Sequence, residues 1–260
     1  MTKIYALANQ KGGVGKTTTA INVASYIAHR GLRVLLVDAD PQANATSSLG
    51  LDKNQVKSTI YDALINQASL EDVVLRNPRL GMSLIPSNPD LAGAEVELVN
   101  LIGREKRLQR ALSTVSSRFD YIIIDSPPSL GLLTVNALTA AQDGVIIPVQ
   151  CEYLALEGLT QLTKTLGLVR AHLYPGLRIR GLVMTMYDVR TNLSRQVVNQ
   201  VKQHFGDMVF RSIIPRTVRL SEAPSYGEPI LTYDPKSAGA LAYQALADEI
   251  LNGDGVSESH

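Results

Sequence analysis

The sequence predicts an α/β fold, a doubly wound and mostly parallel sheet flanked by helices, and two observations carry that prediction. Short β-branched or apolar runs alternate with helical stretches along nearly the whole chain, and most of the runs lack period-two alternation, as strands buried on both faces do. Between the first run and the first helix lies the glycine-rich segment KGGVGKTT, Lys11 to Thr18. A loop of this kind cradles phosphate where a strand turns into a helix.

The predicted strands are Ile4 to Ala8, Val34 to Val37, Met82 to Ile85, Tyr121 to Ile124, Gly144 to Pro148, Arg180 to Thr185 and Met208 to Ile214. The predicted helices are Thr17 to Arg30, Ile60 to Asn66, Ala94 to Ser117, Leu132 to Ala141, Ala155 to Leu173, Ser194 to His204 and Ala238 to Leu251. Strands separated by helices join through right-handed crossovers into a parallel sheet. Gly31 supplies the glycine stop of the first helix. No repeat or low-complexity linker interrupts the pattern, so residues 1–251 read as a single domain and 252–260 as a flexible C-terminal tail.

With 260 residues and 45% apolar side chains the chain fills a sizeable core. Its 25 Lys plus Arg against 24 Asp plus Glu give a formal charge of +1, so polyanion binding requires a local patch. Cys151 is the single cysteine, which excludes an intramolecular disulfide framework or a CxxC site and fits a reducing, cytoplasmic setting. A small buried residue at a strand end is the reading that suits it. The N-terminus shows no signal peptide and no apolar run is long enough to span a bilayer, so neither export nor a membrane span is expected.

In the loop, Gly12, Gly13, Val14 and Gly15 let backbone N–H groups turn toward phosphate, and the helix N-terminus adds its positive partial charge. Lys16 then contacts the β- and γ-phosphates and the Thr17 hydroxyl binds Mg²⁺. The generic phosphate-loop pattern would begin at Gln10, where this chain has no glycine; the loop reads xKGGxGKT[ST] instead. Lys11 is a second cation, and because one phosphate chain needs one loop lysine, the spare one suggests a contact across an interface.

Asp38 and Asp40 close the run VLLVDADPQ, at the strand edge where ligands of open α/β sheets collect. One carboxylate beside magnesium and one beside an attacking water is the division of labour that suits them, with a helix N-cap role open for either. The run YIIID ends in Asp125, the Walker B pattern, which holds Mg²⁺ directly or through water. Pro127 and Pro128 make the following loop stiff enough to sense a γ-phosphate. These motifs define a P-loop protein that uses ATP and Mg²⁺.

At KGGVGKTTTAINVA, VLLVDADPQANAT, YIIIDSPPSLG and PVQCEYLALEG the chain closely resembles the ParA/Soj family of chromosome- and plasmid-partitioning ATPases. The likeness continues through MTMYDVRTNLS and IPRTVRLSEAPSYGEPI and covers residues 1–250. The resemblance implies the deviant Walker A type of P-loop NTPase, with Lys11 as the signature lysine that reaches the partner subunit's nucleotide in an ATP-dependent, face-to-face homodimer. It makes Lys16 the phosphate lysine, Thr17 the metal ligand and Asp40 the residue that orients the hydrolytic water, with Asp38 and Asp125 supporting the metal and its waters. Nucleotide contacts are implied along Lys11 to Thr18. Gly12 becomes the point where a side chain would clash across the dimer interface. Glu152 resembles the glutamate that meets the partner's nucleotide or signature lysine, and the loop at Pro215 and Arg216 resembles the one lying against adenine.

The family binds double-stranded DNA without sequence preference as the ATP dimer. Here Arg190, Arg195, Arg211, Arg216 and Arg219 gather in the C-terminal third with Lys202 and Lys236, and Arg190, Arg219 and then Lys236 match the implied DNA-binding positions. The family partner is a ParB-like centromere-binding protein that stimulates otherwise slow hydrolysis, which implies a nucleoid-associated, cytoplasmic enzyme. No helix-turn-helix precedes the loop and no basic amphipathic helix ends the chain, so operator binding and membrane targeting are not expected. Nitrogenase iron protein and tail-anchored-protein targeting ATPases need cysteines this chain lacks. A related ATPase that positions a protein cargo, and a metabolic P-loop ligase of the dethiobiotin-synthetase type, remain as alternatives.

Overall fold

The computed structural model describes residues 1–256. Its first half runs β1 (Lys3–Leu7), α1 (Lys16–His29), β2 (Val34–Asp38), α2 (Asn44–Ser48), α3 (Ile60–Leu64), α4 (Leu70–Val73), β3 (Leu75–Asn77), β4 (Met82–Ile85), α5 (Leu91–Glu97), α6 (Arg107–Ser113) and β5 (Tyr121–Asp125). The second half runs α7 (Leu132–Ala140), β6 (Gly144–Gln150), α8 (Ala155–His172), β7 (Ile179–Tyr187), α9 (Asn192–Phe205), β8 (Val209–Pro215), α10 (Val218–Glu222), α11 (Ile230–Tyr233) and α12 (Ala238–Gly253).

All eight strands form one sheet in the order β3-β4-β2-β5-β1-β6-β7-β8. Every pairing is parallel except β3 with β4. The predicted doubly wound sheet is therefore the observed one. Successive residues of β1 serve opposite faces, as the two-residue strand period requires. Tyr5 and Leu7 pack with α1 and α12, whereas Ile4 and Ala6 pack with α3, α5, α6 and α7. A further cluster under α8 and α9 covers β6 and β7. Burial on both faces explains why β2 and β5, with every residue buried, show no alternation in sequence.

Three expectations change. The helix predicted over Ala94 to Ser117 is interrupted: α5 ends at Glu97 and α6 begins only at Arg107. Gly103 sits between them at φ +66°, a left-handed conformation that no α-helix continues through. The edge strand β3 is absent from the predicted elements, because three residues between a one-turn helix and the turn into β4 carry too little pattern. The tail expected from Asn252 is ordered at its start, since α12 runs to Gly253 and Asp254 is anchored. The Asp254 carboxylate accepts hydrogen bonds from the Tyr5 and Tyr121 hydroxyls at 2.7 and 3.0 Å and lies 3.4 Å from the Arg180 guanidinium. The rest of that tail, 257–260, lies outside the described residues.

Candidate nucleotide site

Sheet order alone brings the chemistry together. The loop after β1, the end of β2 and the end of β5 are neighbours, because β5 lies between β1 and β2. Leu7 pairs with Asp125, and Asp125 with Asp38, so two carboxylates stand side by side at the C-terminal edge of the strands. The phosphate loop rises beside them into α1.

Gly13 and Gly15 take φ of +72° and +86°, positions that side chains occupy only with strain. Gly15 is the N-cap of α1, and no side chain caps that end, so its orphan N–H groups and dipole face an anion site. Gly12 differs: it has no positive φ, and a Cβ built on it meets nothing within 4 Å of its own chain. Nothing within this subunit demands glycine at that position.

Lys16 is only 6% exposed, and its Nζ donates to the Lys11 carbonyl at 3.2 Å. Burial lowers its pKa, while Asp125 and Asp40 pull it back up. The loop is braced from both sides. The Asn9 amide donates to the Pro148 carbonyl at 2.7 Å and accepts from the Lys11 N–H at 3.0 Å. The Thr185 hydroxyl donates to the Val14 carbonyl at 2.9 Å. Neither residue carries a sequence signal, since their roles depend on how the strands are ordered around β1.

The three aspartates are differently employed. Asp38, fully buried, accepts from the Thr46 N–H and hydroxyl at 2.8 and 2.7 Å and from the Asp40 N–H at 3.2 Å. Burial pushes its carboxyl up to about 6 against those hydrogen bonds. Asp40 is nearly buried and accepts from the Gln42 N–H at 2.9 Å. Asp125 is fully buried and, among the described residues, neither of its carboxylate oxygens has a hydrogen-bond partner. Burial, followed by the charge of Asp38, raises its pKa well above the ordinary range, with Thr17 and Lys16 opposing.

A buried carboxylate with no partner is costly unless something neutralises it. Among the described residues no group of three or more His, Cys, Asp or Glu is placed to hold a metal. A cation held by one carboxylate, a hydroxyl, phosphate oxygens and water is therefore the kind this donor set suits, which is the habit of Mg²⁺. Asp125 with Thr17 fits that requirement. Asp38 is already committed to Thr46 and Asp40 through three hydrogen bonds.

Lys11 pairs with Glu152 of the same chain at 2.9 Å, both side chains nearly half exposed. A pair so placed contributes ~0–1 kcal/mol and exchanges partners easily. Pro215 and Arg216 border a cavity of ≈ 300 Å³ that also touches Gly15, Thr18, Met186 and Tyr243. Met186 holds φ +53° there, an uncommon conformation for a residue that is not glycine. The cavity meets the start of α1, as a base pocket beside a phosphate loop must.

The basic residues divide. Arg190 follows β7, Arg219 follows β8 and Lys236 precedes α12, all toward the sheet edge that carries the phosphate loop. Arg211, at the start of β8, and Lys202, near the end of α9, border a separate groove with Gly253 toward the opposite edge, so the sequence cluster is split. Arg190 makes a two-point pair with Asp188 at 2.7 and 2.9 Å, and Arg219 lies between Glu222 and Asp234 at 3.1 and 3.4 Å. Lys236 is exposed and has no ion pair among the described residues.

The sheet, the uncapped glycine loop and the paired strand-end carboxylates define a P-loop NTPase fold. The family model for an AAA domain (AAA_31) matches residues 2–179. The sporulation initiation inhibitor protein Soj of Bacillus subtilis is 56% identical over 250 residues, 96% of this chain and 98% of that protein. The chromosome partitioning protein ParA of Myxococcus xanthus is 52% identical over 97% of this chain and 89% of its own. A Mycobacterium smegmatis structure described as cobyrinic acid a,c-diamide synthase, with bound ADP and magnesium, superposes with a TM-score of 0.86 at 40% identity, covering 99% of this chain and 98% of that one. The chain belongs to the ParA/Soj family of chromosome-partitioning ATPases. Among the described residues no helix is long and apolar enough to cross a membrane.

Proposed function

We propose that this chain is an ATP-driven partitioning switch: it binds ATP with Mg²⁺, closes into a homodimer, holds duplex DNA without sequence preference, and lets go when a ParB-like partner accelerates slow hydrolysis. The observation that carries the reading is the unpartnered, buried Asp125 carboxylate beside Thr17 and Lys16 at the uncapped start of α1. In it, the N–H groups of Gly13 to Thr18 and the Lys16 ammonium bind the phosphates, and Thr17 and Asp125 hold the cation. Bound there, Mg²⁺ would supply neutralisation of charge on the phosphate oxygens. Asp40 orients the hydrolytic water, and Pro215 and Arg216 border the base. Lys11 exchanges Glu152 for the partner's nucleotide, across an interface for which Gly12 leaves room. Such a protein would sit on the nucleoid in the cytoplasm.

DNA contact requires cations that are not already neutralised. Arg190 and Arg219 must trade carboxylates for phosphates, whereas Lys236 is available at once. Dimerisation doubles the patch, which reconciles DNA binding with a net charge of +1.

The test is binding of an arbitrary duplex by the Asp40→Ala protein with ATP and Mg²⁺, against ADP, over a salt series. Binding with ATP alone that weakens steeply with salt is the expected result. Arg190→Ala, Arg219→Ala and Lys236→Ala each take one cation per subunit, two per dimer, away from the DNA phosphates, so each should reduce the log–log slope by about 2. Gly12→Val is expected to retain ATP and lose both dimer and duplex. Duplex binding indifferent to nucleotide would overturn the switch.

A second reading, a metabolic ligase, gains support from the name given to the M. smegmatis structure. An amide-forming enzyme that takes nitrogen from glutamine with a cysteine nucleophile needs an accessible, acidic thiol. Cys151 is buried and its thiol is pushed up to about 12 by that burial. ATP turnover stimulated by a small-molecule acid, without duplex binding, would favour this reading.

A further inference from the structure

Asp40 lies two residues beyond the end of β2, in a loop with no regular structure before α2. A carboxylate on such a loop wanders unless it is tied. Three of its ties are local: the Asp40 N–H donates to Asp38 Oδ1 at 3.2 Å, Asp40 Oδ1 accepts from the Gln42 N–H at 2.9 Å, and the Asp40 carbonyl accepts from the Ala43 N–H at 2.9 Å. The fourth is not. The Ser87 hydroxyl, from the loop after β4, donates to the Asp40 carbonyl at 2.8 Å.

Ser87 is itself fixed. It is fully buried, and its N–H donates to Thr46 Oγ1 at 2.9 Å. Thr46, equally buried, turns its hydroxyl proton to Asp38 Oδ2 at 2.7 Å. Asp40, Asp38, Thr46 and Ser87 thus close a ring of hydrogen bonds, and Val37 pairing with Ile85 sets the two loops at the same height above the sheet. None of the bonds uses Asp40 Oδ2, which stays available to a water.

The geometry points to Ser87 as a positioning residue for Asp40: its hydroxyl fixes the backbone of the water-orienting aspartate from outside the aspartate's own loop. The inference rests on the reading of Asp40 as the group that orients water. It concerns a seryl hydroxyl whose proton goes to a main-chain carbonyl. Its effect falls on turnover, because misplacing a catalytic group by about 1 Å costs up to ~10²-fold in rate.

The experiment compares Ser87→Ala, Ser87→Thr, Ser87→Val and Asp40→Ala as full-length proteins. Each is measured for ATP affinity, turnover at saturating ATP and melting temperature. Ser87→Ala is expected to turn over about 10- to 100-fold more slowly while ATP affinity stays within about twofold, the split that marks lost transition-state positioning rather than lost binding. Thr and Val have the same shape, so Ser87→Thr should turn over faster than Ser87→Val because it alone keeps the hydroxyl; that pair decides the matter even where Ser87→Ala melts early. Wild-type turnover in Ser87→Ala, or equal rates in the Thr and Val proteins, overturns the inference. Full turnover in Asp40→Ala overturns the reading beneath it, and that outcome is recognised independently of anything the Ser87 variants do.

Discussion

Asp40→Ala is expected to bind ATP about as tightly as the parent and to hydrolyse it at least ~100-fold more slowly, the lower range for removal of a positioned acid–base group. The loop that carries Asp40 keeps its shape in the variant, because the bonds from Asp38 and Ser87 run to its main chain and survive truncation. Only the Gln42 tie and the open Oδ2 disappear. Phosphate is held by other residues, so affinity and rate should part company. Phosphate release in a single turnover checks this, beside an equilibrium titration with ATP. A variant that still hydrolyses at the parent rate would transfer the water to one of the other strand-end carboxylates.

Asp125→Asn is expected to move stability and function in opposite directions. Both oxygens of Asp125 are buried and have no hydrogen-bond partner among the described residues, and its pKa is raised by burial and then by the neighbouring Asp38 charge. A carboxyl raised in the folded state binds its proton there more readily than in the unfolded chain, whose value is ~3.9. Stability therefore falls as pH rises above about 4 and is restored on acidification. Asp38, pushed up to about 6, acts in the same direction, its share of the penalty complete above that pH. Removing the charge should make Asp125→Asn more stable than the parent by ~1–3 kcal/mol at pH 7.5, the scale of one unsatisfied buried polar group. The melting temperature should rise by ~2–4 °C per kcal/mol in a domain of this size. The gap should close toward pH 4. The same variant should lose most of the magnesium dependence of ATP turnover. A lower melting temperature than the parent at pH 7.5 would show that the Asp125 carboxylate is satisfied by a partner.

Most of the phosphate loop is legible in residue order because its chemistry is local: glycines at Gly13 and Gly15 meet a backbone demand, and Lys16 and Thr17 follow on the same helix. Asp38 and Asp125 are legible as strand-end acids, but not as register partners, since that pairing depends on β5 inserting between β1 and β2. Asn9, Thr46, Ser87 and Thr185 are not legible. Each is an ordinary polar residue whose importance comes from the carbonyl or carboxylate that folding places opposite it. The break at Gly103 is visible as a glycine, yet the apolar residues on either side sustain a helical period across it. Arg190 and Arg219 look like free cations in the sequence although Asp188 and Glu222 stand only two and three residues away. Short-range acids deserve the same scrutiny as the bases they neutralise.

In the proposed homodimer the half-exposed pair between Lys11 and Glu152 would set how ionic strength acts on assembly. If two loops meet about a two-fold axis, Lys11 leaves Glu152 in both copies, so two identical ion pairs break for every dimer made. Each is weak, and added salt weakens it further. Salt would screen both the Lys11–Glu152 pair and the phosphate contact that replaces it, so the closure step would respond weakly, while salt competes directly with the patch for DNA phosphates. The two steps would carry salt dependences of different steepness. In the absence of DNA the dimer population reports the first by itself, and the duplex titration reports their sum.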